Sequence, residues 1–393
     1  MTFLLVTMIV TGAFGQLKRY DTDFTLSKKN FVITVPIEIE RGQIFLHLNI
    51  DGREYRFKLD TGASQGVIYD DVNIKGTKVL GFIKSEDATG QSQQVKTVEL
   101  PPFELGELTI SRFKLQQMKR NLVRNREDGI IGFALFNKGL TTKIDTREKT
   151  MIISDRKNLF KKEKGEVLKY NLKRHVPYIK VSPFDGTEDE ALFDTGSQMP
   201  YAFNAQQFEL LSTTNPQIKQ QIVDTTYGSR AIGHFGSEHS HKITLLLIER
   251  LKIGNFEMRE ILSSTVQGGT HIGAPLLKYG AMIIDPFRKQ LVFQPYDGAK
   301  SCVVANRMAD VVIVEKEGHA MIGMVMKHCK AYTDGFRQVQ IIEKVDGKPI
   351  SFEEFNRFIW TKNQKYEFTV RLGIGIRTTV HAYWPLYYNQ LQR

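Results

Sequence analysis

The chain has 393 residues, with 54 Lys and Arg against 43 Asp and Glu and a net charge of +11. Its 41% hydrophobic and 25% charged content excludes a disordered tail, a collagen-like rod and a multi-span membrane protein. Two cysteines without grouped spacing exclude a disulfide scaffold and a cysteine-built zinc site, and no basic run interleaved with aromatics points to nucleic acid.

At ~100–200 residues per domain the length predicts two or three domains. Residues 3–10 form a short apolar run, and Ala13 and Gly15 set small residues two apart before Gln16. That pattern predicts an export signal over residues 1–15. At ~20 residues per membrane-spanning helix, the run is too short to cross a bilayer. No Lys or Arg precedes it, so a buried first strand is the alternative. The mature chain is expected to begin near Gln16, secreted or in the periplasm or cell envelope.

The chain then repeats itself. Leu59-Asp60-Thr61-Gly62-Ala63 in the first half matches Phe193-Asp194-Thr195-Gly196-Ser197 in the second. An Asp-Gly stands nine residues before each Asp, at Asp51-Gly52 and Asp185-Gly186. Asp-Gly is a hairpin signal, so each triplet is expected to close the second strand of a hairpin. Downstream, Leu105-Gly106 matches Ile253-Gly254, and Ile130-Ile131-Gly132 matches His271-Ile272-Gly273. Asp145 and Asp285 are each followed four residues later by a Lys, Lys149 and Lys289. One Asp-Thr-Gly is a weak signal, but two in matched frames are a strong one. Short Val, Ile, Phe and Thr runs broken by Gly, Asn and Asp predict strands throughout both halves. Helical pattern is confined to residues 205–212 and a turn near Leu276 to Lys278. The Lys-rich stretch 155–175 reads as a solvated connector, with a processing site as the alternative.

A strand-end Asp followed by Thr and Gly puts a carboxylate at the tip of a turn. Two such tips can meet about a pseudo-two-fold axis. Carboxylates about 3 Å apart cannot both ionise and share one proton. One then acts as base and the other as acid on a water held between them. The chemistry needs no metal, cofactor or covalent intermediate.

These paired triplets resemble the active site of pepsin- and retropepsin-like aspartic proteases, over about residues 30–297. The resemblance implies a mainly β fold of two pseudo-symmetric lobes, residues 16–160 and 161–300, with a cleft between them. It implies that Asp60 and Asp194 are catalytic, and that the apolar-apolar-Gly elements pack behind the triplets. Thr61 and Thr195 would bond across the lobes, with Gly62, Gly196 and Ser197 supporting the dyad. Ala63 stands where pepsins carry Ser, which removes one hydroxyl bond to a carboxylate, so a mildly acidic optimum is expected. No pepsin-like flap tyrosine is present. A flap is expected over residues 85–95, with Thr89, Gly90 and Gln91 at substrate. Residues 227–240, with Tyr227 and Gly228, form the matching second-lobe segment. His234, Glu238, His239 and His241 in that segment are metal-ligand types, but their spacing matches no strong motif and a polar flap tip explains them equally.

Residues 301–393 resemble a PDZ domain, a small α/β module, in the run Val345-Asp346-Gly347-Lys348-Pro349-Ile350. A strand is predicted over 339–345, a helix over 352–360 and a last strand over 366–372. Ile322, Gly323 and Met324 are the candidate carboxylate-binding loop, for docking a C-terminal peptide on a sheet edge. A packing module without ligand is the alternative. Cys302 and Cys329 both fall in this region, with a bridge or two thiols left open. The overall layout resembles secreted bacterial proteins that join an aspartic protease to a PDZ-like tail. The expected function is a secreted aspartic endopeptidase acting on peptide or protein substrates, for which a monomer suffices. The rival is a catalytically idle peptide-binding protein of the cell envelope. The positive charge fits acidic substrates or an anionic envelope surface.

Overall fold

The computed structural model describes residues 23–388 except 121–125, 231, 362–363, 374 and 385–386. The expected leader over residues 1–15 lies outside the described residues. The fold is mainly β, with two lobes built on one plan and a third, smaller α/β region.

Each lobe starts from the hairpin that the Asp-Gly signal predicts. Strands Gln43–Ile50 and Arg53–Leu59 pair antiparallel. Asp51 and Gly52 between them both take positive φ, 52° and 76°, the turn whose twist matches that of two paired strands. Alternation then sends Tyr55, Phe57 and Leu59 into the core. Strand Gly129–Ile131 inserts between Arg53–Leu59, to which it is parallel, and Gly66–Tyr69, to which it is antiparallel. The second lobe repeats this arrangement. Strand His271–Gly273 lies parallel to Asp189–Asp194 and pairs antiparallel with Ala202–Asn204. The register is also the same, with Leu59 opposite Ile131 and Phe193 opposite Ile272.

A shared sheet joins the lobes. It runs through Val32–Pro36, Thr150–Ser154, Thr141–Asp145, Gly280–Asp285, Gln290–Pro295 and Glu166–Lys173. The two repeated terminal hairpins meet here, Thr142 facing Ile284. Lys149 and Lys289 have positive φ, 53° and 50°. The repeated Lys therefore occupies the left-handed residue that closes each turn. One apolar core runs through both lobes, including Phe57, Phe136, Phe193 and Phe293.

The third region begins later than expected. Ser301–Val303 pairs with the second-lobe strand Phe256–Val266. Asn306 then accepts from the Leu262 N–H at 2.9 Å and donates to its carbonyl at 2.8 Å. Cys302 thus belongs to a second-lobe sheet, and both it and Cys329 are free thiols. Beyond it, Val311–Lys316, His319–Val325, Ile341–Val345, Lys365–Leu372 and Ile376–Tyr383 form one antiparallel sheet. The helix expected over 352–360 is Phe352–Arg357, started by a Ser351/Glu354 capping box. Strand Ile376–Tyr383 was not anticipated, because its first four residues are all exposed and show no alternation.

Ile322, Gly323 and Met324 do not form a loop. They lie inside strand His319–Val325, with Ile322 and Met324 buried. The Gly323 carbonyl already accepts the Ser229 N–H of the second lobe at 2.9 Å. Their backbone is taken up by the chain itself, which removes the proposed carboxylate-binding loop at that position.

The third region shares a core with the second lobe through Ile243, Leu245 and Leu262, all 0% exposed. Deleting residues 307–393 uncovers that patch, at about 1.5–3 kcal/mol per side chain. The shortened protein is expected to melt about 10 °C lower or to precipitate. A thermal melt at the full-length temperature would count against this joint core.

Candidate active site

Asp60 ends strand Arg53–Leu59 and Asp194 ends Asp189–Asp194. The Asp60 N–H donates to the Ile131 carbonyl at 3.0 Å, so the apolar-apolar-Gly strand anchors the turn. Past it, the Gly62 and Ala63 N–H groups donate to Asp60 Oδ1 at 2.9 and 3.0 Å. In the second lobe the Gly196 N–H donates to Asp194 Oδ1 at 2.9 Å.

The two turns interlock through buried threonines. Thr61 N–H donates to Thr195 Oγ1 at 3.0 Å, and Thr195 N–H donates to Thr61 Oγ1 at 3.0 Å. The Thr61 hydroxyl donates to the Phe193 carbonyl at 2.6 Å, and the Thr195 hydroxyl donates to the Leu59 carbonyl at 2.8 Å. From the first lobe, Gln43 Nε2 also donates to the Gly196 carbonyl at 3.1 Å.

Each carboxyl lies over the other turn's glycine. A Cβ on Gly62 would fall 2.6 Å from Asp194 Cγ, and one on Gly196 would fall 2.2 Å from Asp60 Oδ2. Only glycine leaves room for the two carboxyls to stand side by side. Asp194 is held well above the usual carboxylate range. Burial is the largest cause, followed by the Asp60 charge; Lys58 and the Gly196 N–H oppose the shift. Asp194 is half-buried.

Ser197 does not contribute as expected. Its hydroxyl accepts the Met199 N–H at 3.2 Å and supports the turn backbone instead of a carboxyl. Lys58 was overlooked. Its Nζ lies 3.8 Å from Asp60 Oδ2, and its side chain is only 13% exposed. Period-two alternation held the signal, because a residue two before a strand-end Asp shares that Asp's face.

The two expected flap segments meet each other. Hairpin Lys78–Glu86/Ser92–Glu99 turns through residues 87–91. There Asp87 Oδ1 accepts from the Thr89 N–H and hydroxyl at 2.9 and 2.6 Å and from the Gln91 N–H at 3.2 Å. Gly90 closes the turn at φ 79°. Asp87 Oδ2 accepts the Phe235 N–H at 2.8 Å, and Gln91 Nε2 donates to the Ser237 carbonyl at 2.7 Å. The second-lobe tip is therefore the small hairpin Ile232–Gly233/Gly236–Ser237. Tyr227 and Gly228 are not at that tip. They end strand Ile222–Gly228, where Gly228 packs backbone to backbone against Gly323 and Tyr227 is exposed.

The polar residues of this segment point to different partners. His234 lies beside the Tyr69 ring, with centroids 6.2 Å apart. Burial and then Lys58 hold its pKa down, against Asp60 and Asp87. Glu238 Oε1 accepts the Arg230 N–H at 2.6 Å, and His241 Nδ1 sits 3.1 Å from the His239 carbonyl. Among the described residues no three metal-ligating side chains converge.

No family model matches the chain, and no curated protein does. Solved structures similar to it include basic 7S globulin from soybean, at 12% identity and TM-score 0.44, covering 67% of this chain and 94% of that one. Conglutin gamma from lupine seeds is similar at 11% identity and TM-score 0.43, covering 68% and 95%. Aspartic proteinase from Irpex lacteus is similar at 12% identity and TM-score 0.45, covering 68% and 98%.

Proposed function

We propose that the protein is an aspartic endopeptidase of the pepsin and retropepsin type, exported from the cytosol. What carries the reading is the pair of carboxyls set against each other's glycine on two interlocked turns. A structural role alone needs neither carboxyl, and burying both is costly.

Asp60, next to Lys58, is the ionised member and Asp194 carries the shared proton. A water between them gives a proton to Asp60 as its oxygen attacks the peptide carbonyl carbon. Asp194 donates its proton to the carbonyl oxygen, which yields a neutral gem-diol. Asp60 then passes its proton to the leaving nitrogen while Asp194 recovers one from a diol hydroxyl, and the C–N bond breaks. On this reading the joined hairpin tips at 87–91 and 232–237 cover the cleft. They must part to admit a chain.

The deciding experiment is digestion of a peptide library by the full chain, with and without a peptide that carries a secondary alcohol in place of the scissile amide. Cleavage that this tetrahedral mimic blocks supports the reading. Tight binding of peptides without turnover favours the idle binder.

The rate should follow a bell with pH. Its acid limb is protonation of the second carboxyl and its alkaline limb is loss of the Asp194 proton. Because burial and Asp60 raise Asp194, the alkaline limb moves above the ordinary carboxylate value of ~4. The optimum is therefore expected to be mildly acidic. A profile that peaks near about pH 2, as a dyad with strongly lowered values would give, overturns this.

A further inference from the structure

We propose that Phe235 occupies the seat of a large apolar side chain of the substrate, so that the protein blocks its own cleft until such a residue replaces the phenyl ring. The exchange with substrate rests on the peptidase reading above; the seat of Phe235 stands on packing and register.

The first-lobe strands behind the Asp60 turn have two apolar faces. On one, Phe57, Leu59, Ile68 and Ile131 belong to the main core. The other carries a separate small cluster of Val67, Tyr69, Val95, Met118 and Ile130. Ile130 stands opposite both Lys58 and Val67, and Met118 stands opposite Tyr69. Residues directly opposite share a face of the sheet, as do residues two apart along a strand. Asp60 follows Lys58 by two, and Lys58 Nζ reaches to 3.8 Å from Asp60 Oδ2. The small cluster therefore lies on the dyad's side of the sheet. Ala63, whose N–H donates to Asp60 Oδ1, packs against it.

Among the described hydrophobic residues, the one from outside the first lobe that packs against this cluster is Phe235. It stands in the turn of the second-lobe tip hairpin, and its N–H is tied to Asp87 Oδ2 at 2.8 Å. The His234 ring before it lies beside Tyr69. A Cβ on Gly233 would fall 2.1 Å from Asp87 Oδ2, so the turn can sit this close only with glycine there. Phe235 is half-buried, a ring resting on the cluster and fastened by the bonds between tips. The parting of tips that admits a substrate chain withdraws Phe235 in the same movement. It uncovers an apolar seat beside the Asp60 turn, and exposed apolar surface is unfavourable. A phenylalanyl or leucyl side chain of the substrate covers that seat again, and an alanyl one does not.

The test uses the full-length protein and one peptide core with Phe, Leu or Ala at successive positions. In Phe235→Ala the seat no longer has to be emptied, while the bonds between tips run through the backbone of residue 235 and through Gln91 and remain. At one position kcat/KM for the Phe and Leu peptides is expected to rise by about tenfold over wild type, and for the Ala peptide by less than about twofold. Phe235→Leu, a smaller plug, is expected to give the same order with a smaller gain. It decides by the same criteria should Phe235→Ala not fold. An equal gain for all three peptides makes Phe235 a part of the gate and no occupant of the seat, and overturns the proposal. No gain, or a loss, for the Phe and Leu peptides overturns it too. In both cases the peptidase reading stands. Should no peptide be cut, fluorescence anisotropy with the same peptides decides. Binding to Phe235→Ala that tightens over wild type for Phe and Leu but not for Ala upholds the plug while the peptidase reading falls. Binding that is absent, unchanged or tightened equally for all three overturns the plug.

Discussion

Asp60→Asn is expected to lower kcat/KM for any cleaved peptide by at least about a thousandfold, the scale of a lost general base. The amide has nearly the same shape. Its oxygen can still accept from the Gly62 and Ala63 N–H groups that now hold Asp60 Oδ1. It cannot take a proton from water, so the attack loses its base while the turn remains. Asp194→Asn is expected to lose turnover as severely, because no acid is left for the carbonyl oxygen. Its stability should behave differently. A carboxyl raised on folding contributes stability that is fully present below its unfolded value of ~4 and is lost as pH rises through its folded value. Asp194 is such a group. Replacing it should therefore stabilise the protein near neutral pH, and the gain should vanish below about pH 4. Turnover equal to wild type in either variant would end the dyad mechanism.

Thr61→Val is expected to have the largest effect on stability of any change that leaves the carboxyls in place. Valine fills the same space but removes the acceptor of the Thr195 N–H and the donor to the Phe193 carbonyl. Both orphaned groups are buried, at about 1–3 kcal/mol each. The sum of about 2–6 kcal/mol corresponds to a melting temperature lower by roughly 10 °C. The carboxyls also lose their common frame, so kcat should fall more than KM rises. Thr61→Ser keeps the hydroxyl and should recover most of the stability. Equal losses in the Ser and Val variants would assign the effect to methyl packing and not to the bonds across the lobes.

Much of this site was legible in the residues. Asp51-Gly52 announced its hairpin because a turn with positive φ at both residues needs such residues. The repeat located both Asp-Thr-Gly turns and both strands behind them, since each lobe must solve the same local packing problem in the same register. Other features were not legible. Ile322-Gly323-Met324 reads as a carboxylate-binding loop on the PDZ resemblance, yet its glycine serves a close approach to the second lobe at Ser229 and Gly228. Strand Ile376–Tyr383 is held by pairing with Lys365–Leu372 and not by its own pattern.

Short-range rules of period, turn and propensity thus reach the strands, the hairpins and the identity of the two carboxyl tips. The meeting of those tips and the bridge from Asp87 to Phe235 belong to the folded chain. Each joins groups far apart in sequence whose contact depends on how two lobes and a third region share their cores. Local pattern carries no information on that geometry.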